Sequence, residues 1–392
     1  MIGDSPGEQA YRQRARAWLE ASLPSHWRPD NPDFTPPSAV EQTAWEKGLY
    51  EAGLAGVAWP SAYGGHGLTV HDYLIANEEI GRIAVPETLN SVGKELAGPL
   101  LLALGSEAQK HRFLRPILEM REIWCQGFSE PESGSDLAGL KTRATPDGGG
   151  WRIDGQKIWT SYADRADWCL LLARTGPPEQ KHRSLTLFTV PMRSPGITVR
   201  PIRQITGQPE FCEVFFDGLR LDSGSTVGAV NAGWQAAVGV LEVERATNRM
   251  YRAGRFGNEF RHLVGVCRGE PNLRALIEDG HYRQKLAATY IDIQTITRHV
   301  RAAVAVLMAG GTIGGQGSLI KLLWSETHQS FAELALELLD RAPRPGGTKI
   351  IRARQRFEEV YLLSRAETVL AGTSQIQRDI IADRILRLPR ER

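Results

Sequence analysis

Trp124-Cys-Gln-Gly-Phe-Ser-Glu-Pro-Glu-Ser-Gly-Ser-Asp-Leu137 is the stretch around which the 392-residue chain is organised. It opens as a strand, Trp124 to Phe128, and breaks at Ser129-Glu130-Pro131 into a loop of small residues, Ser133-Gly134-Ser135-Asp136. Small hydroxylic residues and glycine let backbone N–H groups approach an anion closely. A second run, Asp154-Gly-Gln-Lys-Ile-Trp-Thr-Ser161, answers it. Lys157 to Ser161 reads as another short strand, carrying an exposed-type aromatic, Trp159, and two hydroxyls. A flat aromatic beside a phosphate-sized loop suits a ligand with a planar ring and a pyrophosphate, which points to a flavin dinucleotide. Taken singly, the loop also reads as an ordinary turn and Trp159 as a half-buried strand aromatic.

Working outward, the composition is 42% hydrophobic and 23% charged, that of a soluble globular protein with room for a large core. A net charge of +2 gives no electrostatic case for nucleic acid or an anionic membrane. No apolar run approaches the ~20 residues a membrane span needs. The N-terminus lacks a basic and an apolar signal region, so a cytoplasmic protein is expected. Cys125, Cys169, Cys212 and Cys267 are scattered and read as reduced, mostly buried thiols. No His/Cys/Asp cluster has ligand spacing, so no metal is expected.

Residues 1–121 read as a helical domain, with helices over Tyr11–Leu23, Glu41–Ala52, His71–Ile83 and Leu89–Leu104. Pro24 stops the first, a proline-rich loop runs to Pro37, and Trp59 to Gly67 is a loop in which His66 reads as polar surface. The carboxylates of Glu78 and Glu79 read as a solvated helix face. Residues 122–230 switch to short β-type runs, expected over Trp151–Asp154, Cys169–Ala173, Leu185–Val190, Ile197–Ile202 and Phe211–Phe216. That spacing predicts a small β-barrel or sandwich. Residues 231–392 return to long helices over Gly233–His262, Arg283–Met308, Ser318–Leu339, Arg354–Leu370 and Gln375–Arg387, a four-helix-bundle pattern. Gly310 to Ser318 lacks the lysine of a P-loop and reads as a helix break.

The paired motifs resemble those of the acyl-CoA dehydrogenase family, roughly T-E-P-x-x-G-S-D and K-x-W-I-T-N. Here they are Ser129-Glu130-Pro131-Glu132-Ser133-Gly134-Ser135-Asp136 and Lys157-Ile158-Trp159-Thr160-Ser161-Tyr162. The resemblance runs over nearly the whole chain and implies an α+β, three-domain fold: helices, a β domain, then a helical bundle. It also implies oxidation of an acyl-CoA thioester at Cα–Cβ, with a carboxylate removing the α-proton while hydride leaves Cβ for flavin N5. FAD is the implied cofactor, a tetramer the implied assembly, and electron-transferring flavoprotein the implied acceptor. By the same resemblance Phe128, Ser129, Gly134, Ser135, Trp159, Thr160 and Ser161 hold the flavin and its phosphates, with Ser135 also meeting substrate. Thr373 and Gln375 match residues that contact the dinucleotide near the C-terminus.

Three departures shape the functional reading. Many members carry the base in Y-E-G-T-x-Q-I-Q-R, whereas this chain reads Leu370-Ala371-Gly372-Thr373-Ser374-Gln375-Ile376-Gln377-Arg378. Ala371 cannot accept a proton. Other members place the glutamate on the helix that opens the last domain, and there this chain has Glu244 followed by Arg245. Glu244 is the expected base and Arg245 an orienting cation at the substrate. The plain reading of Glu242 to Arg245 is an i,i+3 surface pair. R-x-x-F-G and Q-x-x-G-G-x-G, which reach a neighbouring subunit's flavin, are both missing: Arg268 to Leu273 and Leu336 to Pro343 stand there instead. These departures match one half of a heteromer, as in two-subunit steroid-degrading dehydrogenases, and a base away from Ala371 is compatible with branched or bulky acyl groups. Two further readings remain open: a non-catalytic scaffold subunit, and a dehydrogenase of carrier-protein thioesters in secondary metabolism.

Overall fold

The computed structural model describes residues 3–28, 31, 35–83, 85, 87–238, 250–343 and 347–389. Its contacts form two compact units, one of Ala39–Gly67 and Glu87–Leu241, the other of Met1–Ser38, Leu68–Pro86 and Glu242–Arg392. Among the described residues the helices are α1 (Pro6–Ser22), α2 (Ala39–Glu51), α3 (Val70–Arg82), α4 (Gly98–Leu104), α5 (Glu107–Leu118), α6 (Tyr251–Gly269), α7 (Pro271–Glu278), α8 (Gly280–Met308), α9 (Gln316–Leu339), α10 (Thr348–Glu367) and α11 (Ser374–Arg384). The strands are β1 (Trp124–Gly127), β2 (Arg143–Asp147), β3 (Gly150–Ser161), β4 (Trp168–Arg174), β5 (Leu185–Pro191), β6 (Ile197–Ile202), β7 (Phe211–Leu221) and β8 (Thr226–Val227). The order helices, sheet, helices is the α+β architecture expected.

In the first unit the strands follow one path, β6-β7-β3-β2-β4-β5-β8, with β1 parallel to β4. Alternation along β1, β4 and β5 gives this region of the sheet a buried face on each side. Leu170, Leu172, Leu185 and Leu187 pack with Leu100, Leu101, Phe113 and Leu114 of α4 and α5. Cys169, Leu171, Phe188 and Val190 face the other way, onto Ile153, Val214 and Phe216 of β3 and β7. Burial on both sides explains why β4 reads Trp-Cys-Leu-Leu-Leu-Ala-Arg without polar alternation. Cys125, Cys169, Cys212 and Cys267 are all free and buried.

β3 departs from expectation. Its two anticipated runs form one 12-residue strand, continuous through Gly155. The strand survives because its pairing with β7 slips twice, between Ile153 and Gly155 and again between Lys157 and Thr160. The first slip puts the extra residue on β7, at its positive-φ Gly218, and the second puts it on β3, so the register is restored.

In the second unit α3 crosses α6 with backbones in contact. A Cβ on Gly81 would lie 2.2 Å from the Tyr251 carbonyl oxygen, and one on Gly254 would lie 3.1 Å from Gly81 Cα. Two apolar clusters fill the unit. One joins Leu263, Val266, Phe331, Leu338 and Phe357, the other Leu74, Phe256, Ile293, Ile296, Val304 and Trp324. The carboxylate of Glu79 is not part of a solvated face: it is 2% exposed and bonded to Arg16 at 2.9 Å, Arg82 at 3.1 Å and Arg12 at 3.2 Å. Glu78 meets Arg12 and Arg301, each at 2.8 Å. The periodicity placed these carboxylates on a polar stripe, but α1 lays its arginines over that stripe.

Two helices lacked a sequence expectation of their own. α5 starts with Ser106 and Gln109 in a reciprocal capping box. α7 takes Pro271 at its first turn, where a missing N–H costs nothing. Residues 233–238 begin the helix expected over Gly233–His262, 239–249 lie outside the described residues, and α6 continues to Gly269. Between α8 and α9 the glycine cluster is a helix break, with Gly310 at φ 74° and Gly314 at φ 53°.

Candidate active site

The loop after β1 is held from inside by a buried ion pair. Lys157 Nζ lies 2.8 Å from Glu130 Oε1 and donates to the Phe128 carbonyl at 2.9 Å. Glu130 also accepts from the backbone N–H of Lys141 at 2.5 Å and of Thr142 at 2.8 Å. Burial pulls the Lys157 ammonium down to about 8 against the opposing pull of Glu130. Burial opposes ionisation of Glu130, but Lys157 outweighs it and holds the carboxyl below its usual range. The turn itself is tight: Glu130 and Ser133 exchange backbone hydrogen bonds of 3.0 Å in both directions. Next to it the chain opens out. Ser135 is exposed, and nothing lies within 4 Å of where a Gly134 Cβ would stand.

The same lysine ties that loop to the aromatic motif. Ile158 N–H donates to the Ser129 carbonyl at 3.0 Å, so Ser129 lies beside Ile158, the residue before Trp159. Trp159 sits at the β3 bulge with φ 59°, a left-handed conformation that a large side chain avoids without compensation. The bulge turns the indole outward, 56% exposed, with its plane perpendicular to the Phe211 ring and the ring centroids 6.0 Å apart. Thr160 points inward and is fully buried; its hydroxyl has no hydrogen-bond partner among the described residues. Ser161 is half-buried and pairs with Phe211 on β7. Phe128 is buried in the apolar cluster beneath α4 and α5. The structure therefore brings Phe128, Ser129, Trp159 and Ser161 into one neighbourhood, while Thr160 faces the core.

In the helical unit the Ala371-Gly372 turn takes two consecutive left-handed residues, φ 54° and 88°. Gln377 Nε2 braces it by donating to both carbonyls, at 3.1 Å and 3.0 Å. Thr373 caps α11 through its hydroxyl, which accepts from Ile376 N–H, and Gln375 is exposed on the first turn. Glu244 and Arg245 lie outside the described residues.

A second buried ionic network lies in that unit. His328 Nδ1 is 2.6 Å from Glu367 and Nε2 is 3.0 Å from Glu259, with all three side chains at most 3% exposed. Arg255 reaches Glu259 at 3.2 Å and Arg252 reaches Glu367 at 3.4 Å. Burial opposes the imidazolium, yet Glu367 and Glu259 outweigh it and raise His328 to about 9. Burial likewise opposes the Glu259 carboxylate, and His328 outweighs it, taking the group down to about 2. Sequence patterning points neither to this network nor to the roles of Glu130 and Gln377. Lys157 alone carries a readable signal, an alternation that places a charge on the inward side of β3.

Three family models match consecutive stretches of the chain: the acyl-CoA dehydrogenase N-terminal domain over residues 5–121, the middle domain over 125–219 and the C-terminal domain over 231–386. "Acyl-CoA dehydrogenase IpdE1" of Mycobacterium tuberculosis is 37% identical over 98% of both chains. Among solved structures, the "Tcur3481-Tcur3483 steroid ACAD" superposes with a TM-score of 0.83 at 26% identity over 100% of both chains. The "ChsE4-ChsE5 complex from Mycobacterium tuberculosis" shares the fold with a TM-score of 0.83 at 24% identity, again over 100% of both chains.

Proposed function

Since the chain belongs to the acyl-CoA dehydrogenase family of flavin-dependent oxidoreductases, we propose that it uses FAD to dehydrogenate an acyl-CoA thioester at Cα–Cβ. Glu244 is the base in this reading. The observation that carries the cofactor assignment is the outward Trp159 beside the Ser129 loop. An indole held 56% exposed at a strained backbone position, with open space at Gly134, fits a planar ring and phosphates. Bound there, FAD supplies the hydride acceptor. The residues of this chain supply the following contacts. Trp159 covers the ring, Ser161 keeps a hydroxyl donor where the family has threonine, and Gly134 and Ser135, beyond the closed Glu130–Ser133 turn, offer N–H groups to phosphate. Thr373 and Gln375 contact the dinucleotide, and Arg245 orients the thioester next to Glu244.

The α-proton passes to the Glu244 carboxylate as hydride leaves Cβ, so charge and atoms balance within the substrate's loss of two hydrogens. Ala371 has no carboxylate to offer, and its left-handed turn is already closed by Gln377. The chain works as one half of a heteromer whose partner completes the flavin site, on bulky, steroid-type acyl groups. A related structure described as a steroid ACAD pairing two named proteins supports both points. The absence of a carboxylate at Ala371 also favours a second reading, a scaffold subunit without chemistry of its own.

Glu244→Gln in the assembled, flavin-loaded enzyme tests the assignment. Turnover falls by about four orders of magnitude or more if Glu244 is the base. Unchanged turnover rejects it in favour of the scaffold.

A further inference from the structure

Arg174 ends β4 and is 5% exposed. Its guanidinium is held by four acceptors, all of them neutral oxygens. Nε donates to the Leu140 carbonyl at 3.0 Å, and Nη2 donates to the Ala138 carbonyl at 2.7 Å. Nη1 donates to the Ser184 hydroxyl and, at 3.4 Å, to the Lys181 carbonyl. Among the described residues it pairs with no carboxylate. Glu130 and Glu179 act on it only from a distance, and Glu130 is already paired with Lys157. Burial holds the guanidinium below its ordinary value, Arg143 adds to that, and the two glutamates oppose it without prevailing.

The arginine holds the turn that backs the Gly134-Ser135 loop. Ala138 and Leu140 flank Gly139, at the end of a single helical turn, Leu137–Gly139. Gly139 N–H donates to the Asp136 carbonyl at 3.1 Å. A Cβ on Gly139 would lie 3.2 Å from Asp136 Oδ2 and 3.4 Å from Ser133 Oγ. The turn therefore touches both ends of Ser133-Gly134-Ser135-Asp136. A rigid planar fork fixes two carbonyls at once, which the single ammonium of lysine does not. A buried cation without a contact partner is costly. Beneath a loop whose Gly134 and Ser135 are exposed, its field favours an anion at that loop.

We propose that Arg174 is a positioning residue for the phosphates of the cofactor: it fixes the 137–140 turn so that Gly134 and Ser135 keep their N–H groups presented, and it gives the loop a positive field. It does this without touching the ligand. The role rests on the assignment of Gly134 and Ser135 to phosphate.

Equilibrium binding of FAD and of riboflavin, which lacks the phosphates, to the assembled enzyme freed of its flavin tests the role. Wild type should prefer FAD by about a hundredfold or more. Arg174→Gln should lower that preference at least about tenfold and leave the riboflavin dissociation constant within about twofold. Arg174→Lys, which keeps the charge and loses the fork, should recover part of the preference. Ser184→Ala, which frees the guanidinium from the 178–184 segment alone, should keep all of it. Gly139→Val, at an exposed position, crowds Ser133 and Asp136 and should lower the preference as well, so the linkage is tested even where an Arg174 variant does not fold. Equal loss for both ligands makes Arg174 a structural residue and overturns the proposal. So does an unchanged preference in Arg174→Gln, or in Gly139→Val should Arg174→Gln not fold. Equal affinity of wild type for FAD and riboflavin overturns the phosphate assignment itself, and the role of Arg174 with it.

Discussion

Lys157 and Glu130 lie 2.8 Å apart and almost wholly out of solvent, and through them the strand carrying Trp159 fixes the loop carrying Ser129. Removing one member of such a pair leaves an uncompensated buried charge, which costs about 3–5 kcal/mol. Lys157→Met therefore lowers the urea midpoint strongly and releases the backbone N–H groups of Lys141 and Thr142 from an ordered acceptor. Replacing both partners, as Lys157→Met with Glu130→Gln, costs less than the sum of the two single changes. Equal stability of wild type and Lys157→Met would show that the pair contributes nothing.

The His328 network predicts an alkaline limb in the stability profile. The folded imidazolium is raised to about 9 from 6.5, so its stabilisation is fully present below about pH 6.5 and is lost as pH climbs through 9. That shift corresponds to about 3 kcal/mol. Glu259, lowered to about 2 from 4.5, behaves oppositely: its stabilisation is present above pH 4.5 and fades as pH falls toward 2. In His328→Gln the difference from wild type should shrink steadily between pH 6.5 and pH 9.5 in urea titrations. A difference that stays constant over that range contradicts the charged-histidine account.

How far these features were legible depends on where each partner sits in the chain. The strands could be read because β4 and β5 are continuous apolar runs bounded by turn residues, a local signal. The Trp159 loop pair could be read because both halves are contiguous motifs. Glu79 could not: its partners Arg12 and Arg16 lie on α1, and periodicity alone cannot tell a polar stripe facing water from one facing another charged helix. The bulge that keeps β3 whole was hidden for a similar reason, since it exists only in the register with β7. His328 carries no local signal, because Glu259 on α6 and Glu367 on α10 reach its two nitrogens only through the packing of those helices.

The α3–α6 crossing gives a purely steric prediction. A methyl group at Gly81 would meet the Tyr251 carbonyl oxygen at 2.2 Å, and backbone cannot swing aside as a side chain can. Gly81→Ala should destabilise the helical unit by about 3 kcal/mol although alanine is the better helix former. Alanine at the helical Gly265, where nothing lies within 4 Å of the added Cβ, should stabilise by about 0.5–1 kcal/mol. Thermal denaturation of the two variants should move in opposite directions, and parallel shifts would place the contact elsewhere.

Trp159→Ala separates the cofactor role of this residue from any structural one. The indole is 56% exposed and stands perpendicular to the Phe211 ring, so little packing is lost on truncation. Surface changes of this kind usually alter stability by no more than about 0.5 kcal/mol. If Trp159 exists to cover a flavin ring, the variant should keep the wild-type urea midpoint when stripped of cofactor, yet retain much less flavin after gel filtration. Trp159→Phe, which keeps a flat ring, should recover some of the retention. Loss of stability and flavin together would make Trp159 a structural residue. Full flavin retention in Trp159→Ala would remove it from the cofactor site, and with it the observation on which the FAD assignment rests.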